Sequence, residues 1–256
     1  MIESVGIIGV GHLACYIVEG LKKASPELKI FLSPRNEQKS KDLARRFRIE
    51  IAENNQDVVN KTNIIMMTTR PEDTIAVSED LDFRSDQTVI SVAVGLSLDH
   101  LLTLTSPATV VRAMPISCAA INQSPTLLFP DNPQARSILD LLGQIHVLPN
   151  EESFTSASTI GAFYGWVYAL LNEAISWTTQ TGVPQQTARK IVLETVRGAV
   201  NMALNEAQIG LDDILNSLAT PGGITKQGLN ILHQRQGLAA WTESLNAVHN
   251  RLSAKK

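Results

Sequence analysis

The residues of this chain best placed to do chemistry are glycines and hydroxyls at turns. Gly9-Val10-Gly11-His12-Leu13-Ala14 is a GxGxxA sequence. It follows the apolar run Val5-Gly6-Ile7-Ile8 and opens a helical stretch, the setting in which such a loop binds a dinucleotide. Gly9 permits the tight turn, and Gly11 lets the main chain approach a pyrophosphate. The amides of His12 and Leu13 at the helix start meet its charge, and Ala14 is small enough for close helix–strand packing. The plainer alternative is a structural turn. The end of the second strand bears on which dinucleotide is bound. It reads Phe31-Leu32-Ser33-Pro34-Arg35-Asn36, with no acid until Glu37 to take a ribose 2′-hydroxyl. Ser33 can donate a hydrogen bond and Arg35 can pair with a 2′-phosphate, which favours NADPH over NADH unless Arg35 is only a solvated loop cation. Thr69 and Arg70, after the third strand, are further candidates for the cofactor, Arg70 as a phosphate or adenine neighbour or else as a plain surface charge.

Two more turns carry information. Arg112-Ala113-Met114-Pro115-Ile116 closes a strand, and ligands in open α/β sheets sit at strand C-terminal ends. Thr220-Pro221-Gly222-Gly223-Ile224-Thr225 opens a helix. Free amides with hydroxyls beside them make a carboxylate cradle; the alternative is an ordinary turn with Thr225 as its cap. The five histidines form no HxH or HExxH pattern and the two cysteines, Cys15 and Cys118, lie far apart, so no metal is expected. Both thiols read as structural, in a reducing cytoplasm.

These turns need elements to hold them. Short apolar runs at 5–9, 28–32, 63–68, 88–93 and 109–113 alternate with helical stretches, and a last strand is expected at 146–148. Continuous apolar strands alternating with helices imply a doubly wound, Rossmann-type parallel sheet covered on both faces. After Asn150 the pattern becomes helical throughout. Tyr164, Tyr168, Leu171 and Ile175 form one stripe, and Leu238, Trp241, Leu245, Val248 and Leu252 another. Four or five helices are expected, with breaks at Gly182-Val183-Pro184 and Pro221-Gly222-Gly223. The division is therefore 1–150 for dinucleotide binding and 151–256 for an all-helical dimerisation and substrate domain.

Length and charge set bounds on this reading. A chain of 256 residues with 44% hydrophobic content has ample core for one large domain or two small ones. Lys plus Arg number 22 against 25 Asp plus Glu, which argues against nucleic acid as a partner. No apolar run reaches the roughly 18–20 residues that span a bilayer, and the N-terminus lacks a signal peptide's basic start. The second domain is small and its stripes are long, so its apolar face is expected to need another chain, in a homodimer or a higher oligomer.

Taken in order, these segments resemble the pyrroline-5-carboxylate reductase family over nearly the whole chain. The GxGxxA loop matches at Gly9 to Ala14. A KPxD-like turn looks like Arg70-Pro71-Glu72-Asp73, and the RxMPN motif resembles Arg112 to Ile116. An SGSGPAY segment corresponds loosely to Ser158 to Tyr164. The SPGGTT turn is very similar to Thr220 to Thr225, and a final G…A phrase matches Gly237 to Ala240. The resemblance implies reduction of a cyclic imine acid, 1-pyrroline-5-carboxylate, to L-proline with NAD(P)H. It places the nicotinamide near Met114 and Pro115, and the substrate carboxylate on Thr220, Gly222, Gly223, Ile224 and Thr225. Thr225 and Tyr164 become the catalytic side chains, and two helical domains interlock. Such chemistry asks mainly for alignment, since a protonated imine is already electrophilic. Three departures bear on substrate. Ile116 stands for the motif's Asn, Thr159, Ile160 and Ala162 alter the SGSGP segment, and Ile224 replaces a Thr. Two alternatives therefore stand beside this one. The first is a related reductase of another imine or keto acid. Its β-hydroxyacid version needs an interdomain Lys, and none occurs between Lys61 and Lys190. The second is an NADPH-binding regulator without a substrate site.

Overall fold

The computed structural model describes residues 4–254. Its first part is an eight-stranded sheet. The strands are β1 (Ser4–Ile8), β2 (Lys29–Leu32), β3 (Glu50–Ile51), β4 (Ile64–Met67), β5 (Thr88–Ser91), β6 (Thr109–Met114), β7 (Thr126–Phe129) and β8 (Ile145–Val147). Helices α1 (His12–Ala24), α2 (Glu37–Phe47), α3 (Asn55–Lys61), α4 (Pro71–Glu79), α5 (Leu98–Thr105) and α6 (Pro133–Leu139) connect them. The strand order is β3-β2-β1-β4-β5-β6-β7-β8. The chain leaves β1 in one direction and resumes at β4 in the other, so a crevice opens between them at their C-terminal ends.

The period of two along each strand explains why both faces are covered. Val5, Ile7, Ile64, Met66 and Ile90 share one buried cluster with Ile17, Val18 and Leu21 of α1 and Leu43 of α2. Ile8, Ile65, Met67 and Val89 join the opposite cluster with Val58, Val59 and Leu101. Two strands escape the sequence pattern. β3 is only two residues long, too short to show a period, and pairs parallel with β2 at Phe31↔Glu50. β7 is four residues long and runs antiparallel to β6, with Ala113 opposite Leu128. The sheet is therefore mostly parallel rather than wholly so. Before β7 the chain makes a 3₁₀ turn at Ser117–Ile121, which packs on α1. A Cβ on Gly20 of α1 would lie 2.1 Å from the Ala119 carbonyl oxygen. Gly20→Ala should therefore destabilise the protein by about 2 kcal/mol, the scale of an overpacked core, measured as a lower urea midpoint with unchanged slope.

The C-terminal part holds α7 (Glu151–Ser158), α8 (Ile160–Gln180), α9 (Gln185–Asn205), α10 (Leu211–Leu218), α11 (Ile224–Gln234) and α12 (Ala239–Ser253). That is six helices among the described residues, not four or five. Thr159 separates α7 from α8, and Gly210 marks a stop that the apolar stripes do not show. The described residues form two compact units, 4–161 with 249–254, and 162–248. Within the second unit Phe163, Trp166 and Trp241 meet edge to face, with Phe163 and Trp241 centroids 5.5 Å apart. Yet α8, α10, α11 and α12 have no fully buried residue among those described. Trp177 is 65% exposed and Leu204 70%. No helix among the described residues is long and apolar enough to cross a membrane. Cys15 and Cys118 are both free. Burial pushes both thiols up from their ordinary pKa, the opposite of a reactive thiolate.

Candidate active site

A cavity of about 380 Å³ opens at the crevice between β1 and β4, lined by Gly9, Val10, Gly11, Arg35, Asn36, Glu37, Thr68, Thr69, Arg70 and Asp73. The two glycines of the loop are there for different reasons. Gly9 has φ +96°, and a Cβ on it would lie 2.5 Å from the Thr69 Cγ2, so the turn itself requires glycine. Thr68 locks this turn by donating its hydroxyl to the Gly9 carbonyl at 2.7 Å. Gly11 has φ −92°, open to any residue, and its Cβ would meet only the Gly9 carbonyl oxygen, at 4.0 Å. The space above it belongs to no part of the protein. Gly11 is the N-cap of α1, no side chain caps the first turn, and no acid sits there. Free amides, a positive helix end and room for close main-chain approach are what a pyrophosphate needs. These residues fit a dinucleotide.

The structure brings Gly9, Gly11, Arg35, Thr69 and Arg70 together in this cavity. His12 is exposed, and the Leu13 side chain packs against the core, so both face the cavity's helix end only through their main chain. Ser33 is placed differently from a phosphate donor. It is buried, its Oγ accepts the Gly9 N–H at 3.0 Å, and its carbonyl accepts from the Ser40 hydroxyl at 3.0 Å. Its hydroxyl thus braces the glycine loop from beneath. Thr69 is held by its hydroxyl against that of Thr74, at 2.6 Å. Sequence reasoning does not select Asn36, Glu37, Thr68 or Asp73 as lining residues. Asn36 carries one local signal, since it caps α2 by accepting from the Lys39 N–H. Arg70 and Arg35 supply two cations, and Glu37 and Asp73 two carboxylates, so the lining is not a purely cationic pocket.

Met114 and Pro115 lie at the end of β6. The end of the Met114 side chain rests on Gly161, whose Cβ would be 3.1 Å from Met114 Cε. Two residues earlier, Arg112 is buried against the ring of Phe154, 4.5 Å from its centroid. Its Nη1 donates to Glu151 at 2.7 Å, and the same carboxylate oxygen accepts the Leu98 N–H at 2.6 Å. Burial holds the Arg112 guanidinium below its ordinary pKa, and Glu151 pulls it back up. The Arg112 Nε and the Thr159 hydroxyl are buried without a partner.

Thr220, Gly222, Gly223, Ile224 and Thr225 belong to the helical unit, as does Tyr164. Gly222 has φ +77°, and a Cβ on Gly223 would come within 2.9 Å of the Thr220 Oγ1. The Gly222 position therefore requires glycine, and a side chain at Gly223 would crowd Thr220. Gly223 is the N-cap of α11, again with no side-chain cap and no acid in the first turn. Ile224 is 88% exposed, and Thr220 and Thr225 are exposed beside it. The turn thus presents uncapped amides and two hydroxyls. Tyr164 shares a hydrogen bond with Tyr168, 2.8 Å between phenol oxygens. No three His, Cys, Asp or Glu residues come together as a metal site among the described residues.

Comparison with known proteins gives separate family-model matches for the N- and C-terminal parts. Residues 151–255 match the family model for pyrroline-5-carboxylate reductase dimerisation, and residues 4–95 match that for NADP oxidoreductase, coenzyme F420-dependent. The chain is 26% identical to the Pseudomonas aeruginosa pyrroline-5-carboxylate reductase, covering 96% of this chain and 94% of that protein. It is 27% identical to the Haemophilus influenzae one, covering 89% and 88%. Among solved structures it is similar to a Streptococcus pyogenes 1-pyrroline-5-carboxylate reductase, with TM-score 0.86, 24% identity and 98% of each chain covered. A Plasmodium falciparum pyrroline carboxylate reductase with NADP bound has TM-score 0.87, 19% identity, and coverage of 100% of this chain and 99% of that one. The mostly parallel sheet with its helical C-terminal part is the fold of these structures. The chain is thus similar over nearly its whole length to pyrroline-5-carboxylate reductases, and its residues 151–255 match that family's dimerisation model.

Proposed function

We propose that this protein reduces 1-pyrroline-5-carboxylate to L-proline with a nicotinamide cofactor, NADPH in preference to NADH. The observation that carries this reading is the pair of uncapped helix starts, each preceded by glycines that the turn or a ligand requires. One suits a pyrophosphate and the other a small carboxylate. The relatives' names support the same substrate, and the NADP in the Plasmodium structure supports the cofactor class. Gly9, Gly11, Arg35, Thr69, Arg70 and the amides of His12 and Leu13 would hold the cofactor, with Ser33 bracing the loop and Met114 and Pro115 beside the nicotinamide. When bound, the nicotinamide supplies the hydrogen and electron pair that saturate a C=N bond. Thr220, Gly222, Gly223, Ile224 and Thr225 would hold the imine acid through its carboxylate, and Tyr164 would lie near the reacting ring. Residues 1–150 form the dinucleotide-binding domain in this reading, and 151–256 the dimerisation and substrate domain. The exposed apolar face of the helices is covered by a second copy, and the protein works in the cytoplasm.

The test is consumption of NADPH in the presence of pyrroline-5-carboxylate, run beside NADH. Turnover faster with NADPH is expected. Cofactor binding without consumption across that acid would defeat the reading. Thr225→Ala should raise KM for the imine acid about tenfold, the worth of one hydrogen bond to a charged group, with a smaller change in kcat. A different imine or keto acid is favoured by one feature, the bulk of Ile160 and Ile224, 54% and 88% exposed, at the departures from the family motifs. Turnover of a larger imine acid in preference to pyrroline-5-carboxylate would select that reading. Tight NADPH binding with no turnover of any imine acid would select a regulator.

A further inference from the structure

We propose that Asp73 sets the cofactor preference of this chain, by competing with a 2′-phosphate for Arg35. The proposal rests on the dinucleotide reading of the β1–β4 crevice and extends it to the residue that decides between its two nucleotides.

The end of β2 has no acid for a ribose hydroxyl, and read along the chain it points to a phosphate-binding arginine. Folding changes that local chemistry. Arg35 comes from the loop after β2 and Asp73 from the first turn of α4, 38 residues later. Their side chains meet with Arg35 Nη1 and Asp73 Oδ1 2.8 Å apart. Both line the same cavity as Gly9 and Gly11. The acid that is missing from the sequence position is thus supplied in space, attached to the cation meant for phosphate.

The other charges at this mouth do not relieve the competition. Glu37 also lines the cavity but is engaged by Lys41, one helical turn along α2. Arg70 lines it too, as the residue that caps α4 through its main chain, its carbonyl accepting the Thr74 N–H at 2.8 Å. The lining cations and carboxylates sum to zero. A dianionic 2′-phosphate that uses Arg35 must therefore draw it from Asp73, or share it while facing a carboxylate at close range. A ribose 2′-hydroxyl meets no such penalty, because a carboxylate is the acceptor it needs. The pair is solvent-exposed, 68% for Arg35 and 38% for Asp73. Exposed pairs are weak, so the effect on affinity is about fivefold rather than a hundredfold. The preference becomes a balance that a single side chain can tip.

The experiment is calorimetric binding of 2′,5′-ADP and 5′-AMP to the full-length protein, unsubstituted and as Asp73→Asn and Arg35→Gln, at low ionic strength. These fragments read the adenosine end without turnover. Asp73→Asn should tighten 2′,5′-ADP about fivefold and leave 5′-AMP unchanged or weaker. Arg35→Gln should erase the advantage of 2′,5′-ADP. Weaker 2′,5′-ADP binding in Asp73→Asn would mean that Asp73 orients Arg35 toward phosphate, and would overturn the proposal. So would an unchanged ratio in that variant. Failure of the unsubstituted protein to bind either nucleotide would bring down the dinucleotide reading itself, and this proposal with it.

Discussion

Gly11→Val should fold as well as the unsubstituted protein and bind NADPH at least about 100-fold more weakly, a loss of about 2.7 kcal/mol. The expectation comes from the contrast between the two loop glycines. Gly11 sits at φ −92°, where valine is unstrained, and a Cβ there would approach nothing nearer than 4.0 Å. Stability should therefore change by no more than about 0.5 kcal/mol. The branched side chain would instead fill the space through which a pyrophosphate reaches the α1 amides. Gly9 is the control, because its φ of +96° and its 2.5 Å approach to Thr69 make any replacement there a structural lesion. Fluorescence titration with NADPH, beside a urea unfolding curve, separates the two. Near-normal NADPH affinity in Gly11→Val would show that the open space is not the cofactor's.

Glu151→Ala should destabilise the protein by about 3 kcal/mol. Arg112 is 5% exposed and Glu151 31%, so deleting the carboxylate leaves a buried guanidinium with its Nε already unpartnered. The Leu98 N–H loses its acceptor at the same time. The value sits at the low end for a buried pair because water reaches the glutamate. Glu151→Gln keeps an acceptor for Leu98 and should cost less. Replacing the pair together, as Arg112→Met with Glu151→Leu, should recover part of the loss, because neither charge is then left alone. Urea unfolding of the single and double variants measures this, and equal losses in Glu151→Ala and the double variant would refute the argument.

The parts of the molecule that are legible in the sequence are those governed by local rules. The glycine loop is one, because the strand before it and the helix after it are both written in adjacent residues. The PGG turn is another, since Gly222 needs φ +77° and Gly223 follows it as the cap of α11. What is not legible depends on distant partners. Ser33 reads as a phosphate donor, yet its hydroxyl serves the Gly9 amide 24 residues away. Arg112 reads as part of a strand-end motif, yet its pairing with Glu151 crosses 39 residues. β7 reverses direction because of the turn before it, which a four-residue strand cannot reveal. Arg35 and Asp73 are each visible as motif residues, but only folding makes them a pair.

The placement of the aromatic residues has a spectroscopic consequence. All three tryptophans, Trp166, Trp177 and Trp241, lie in α8 and α12, within the unit formed by 162–248. Tryptophan emission is therefore blind to the sheet and reports this helical unit alone. Two of the indoles sit in the aromatic cluster, while Trp177 is largely open to water. A red-shifted component that moves to shorter wavelength as protein concentration rises would register subunit association through this one side chain. A thermal melt followed by emission would record the helical unit's transition, and the sheet's would have to be followed by circular dichroism.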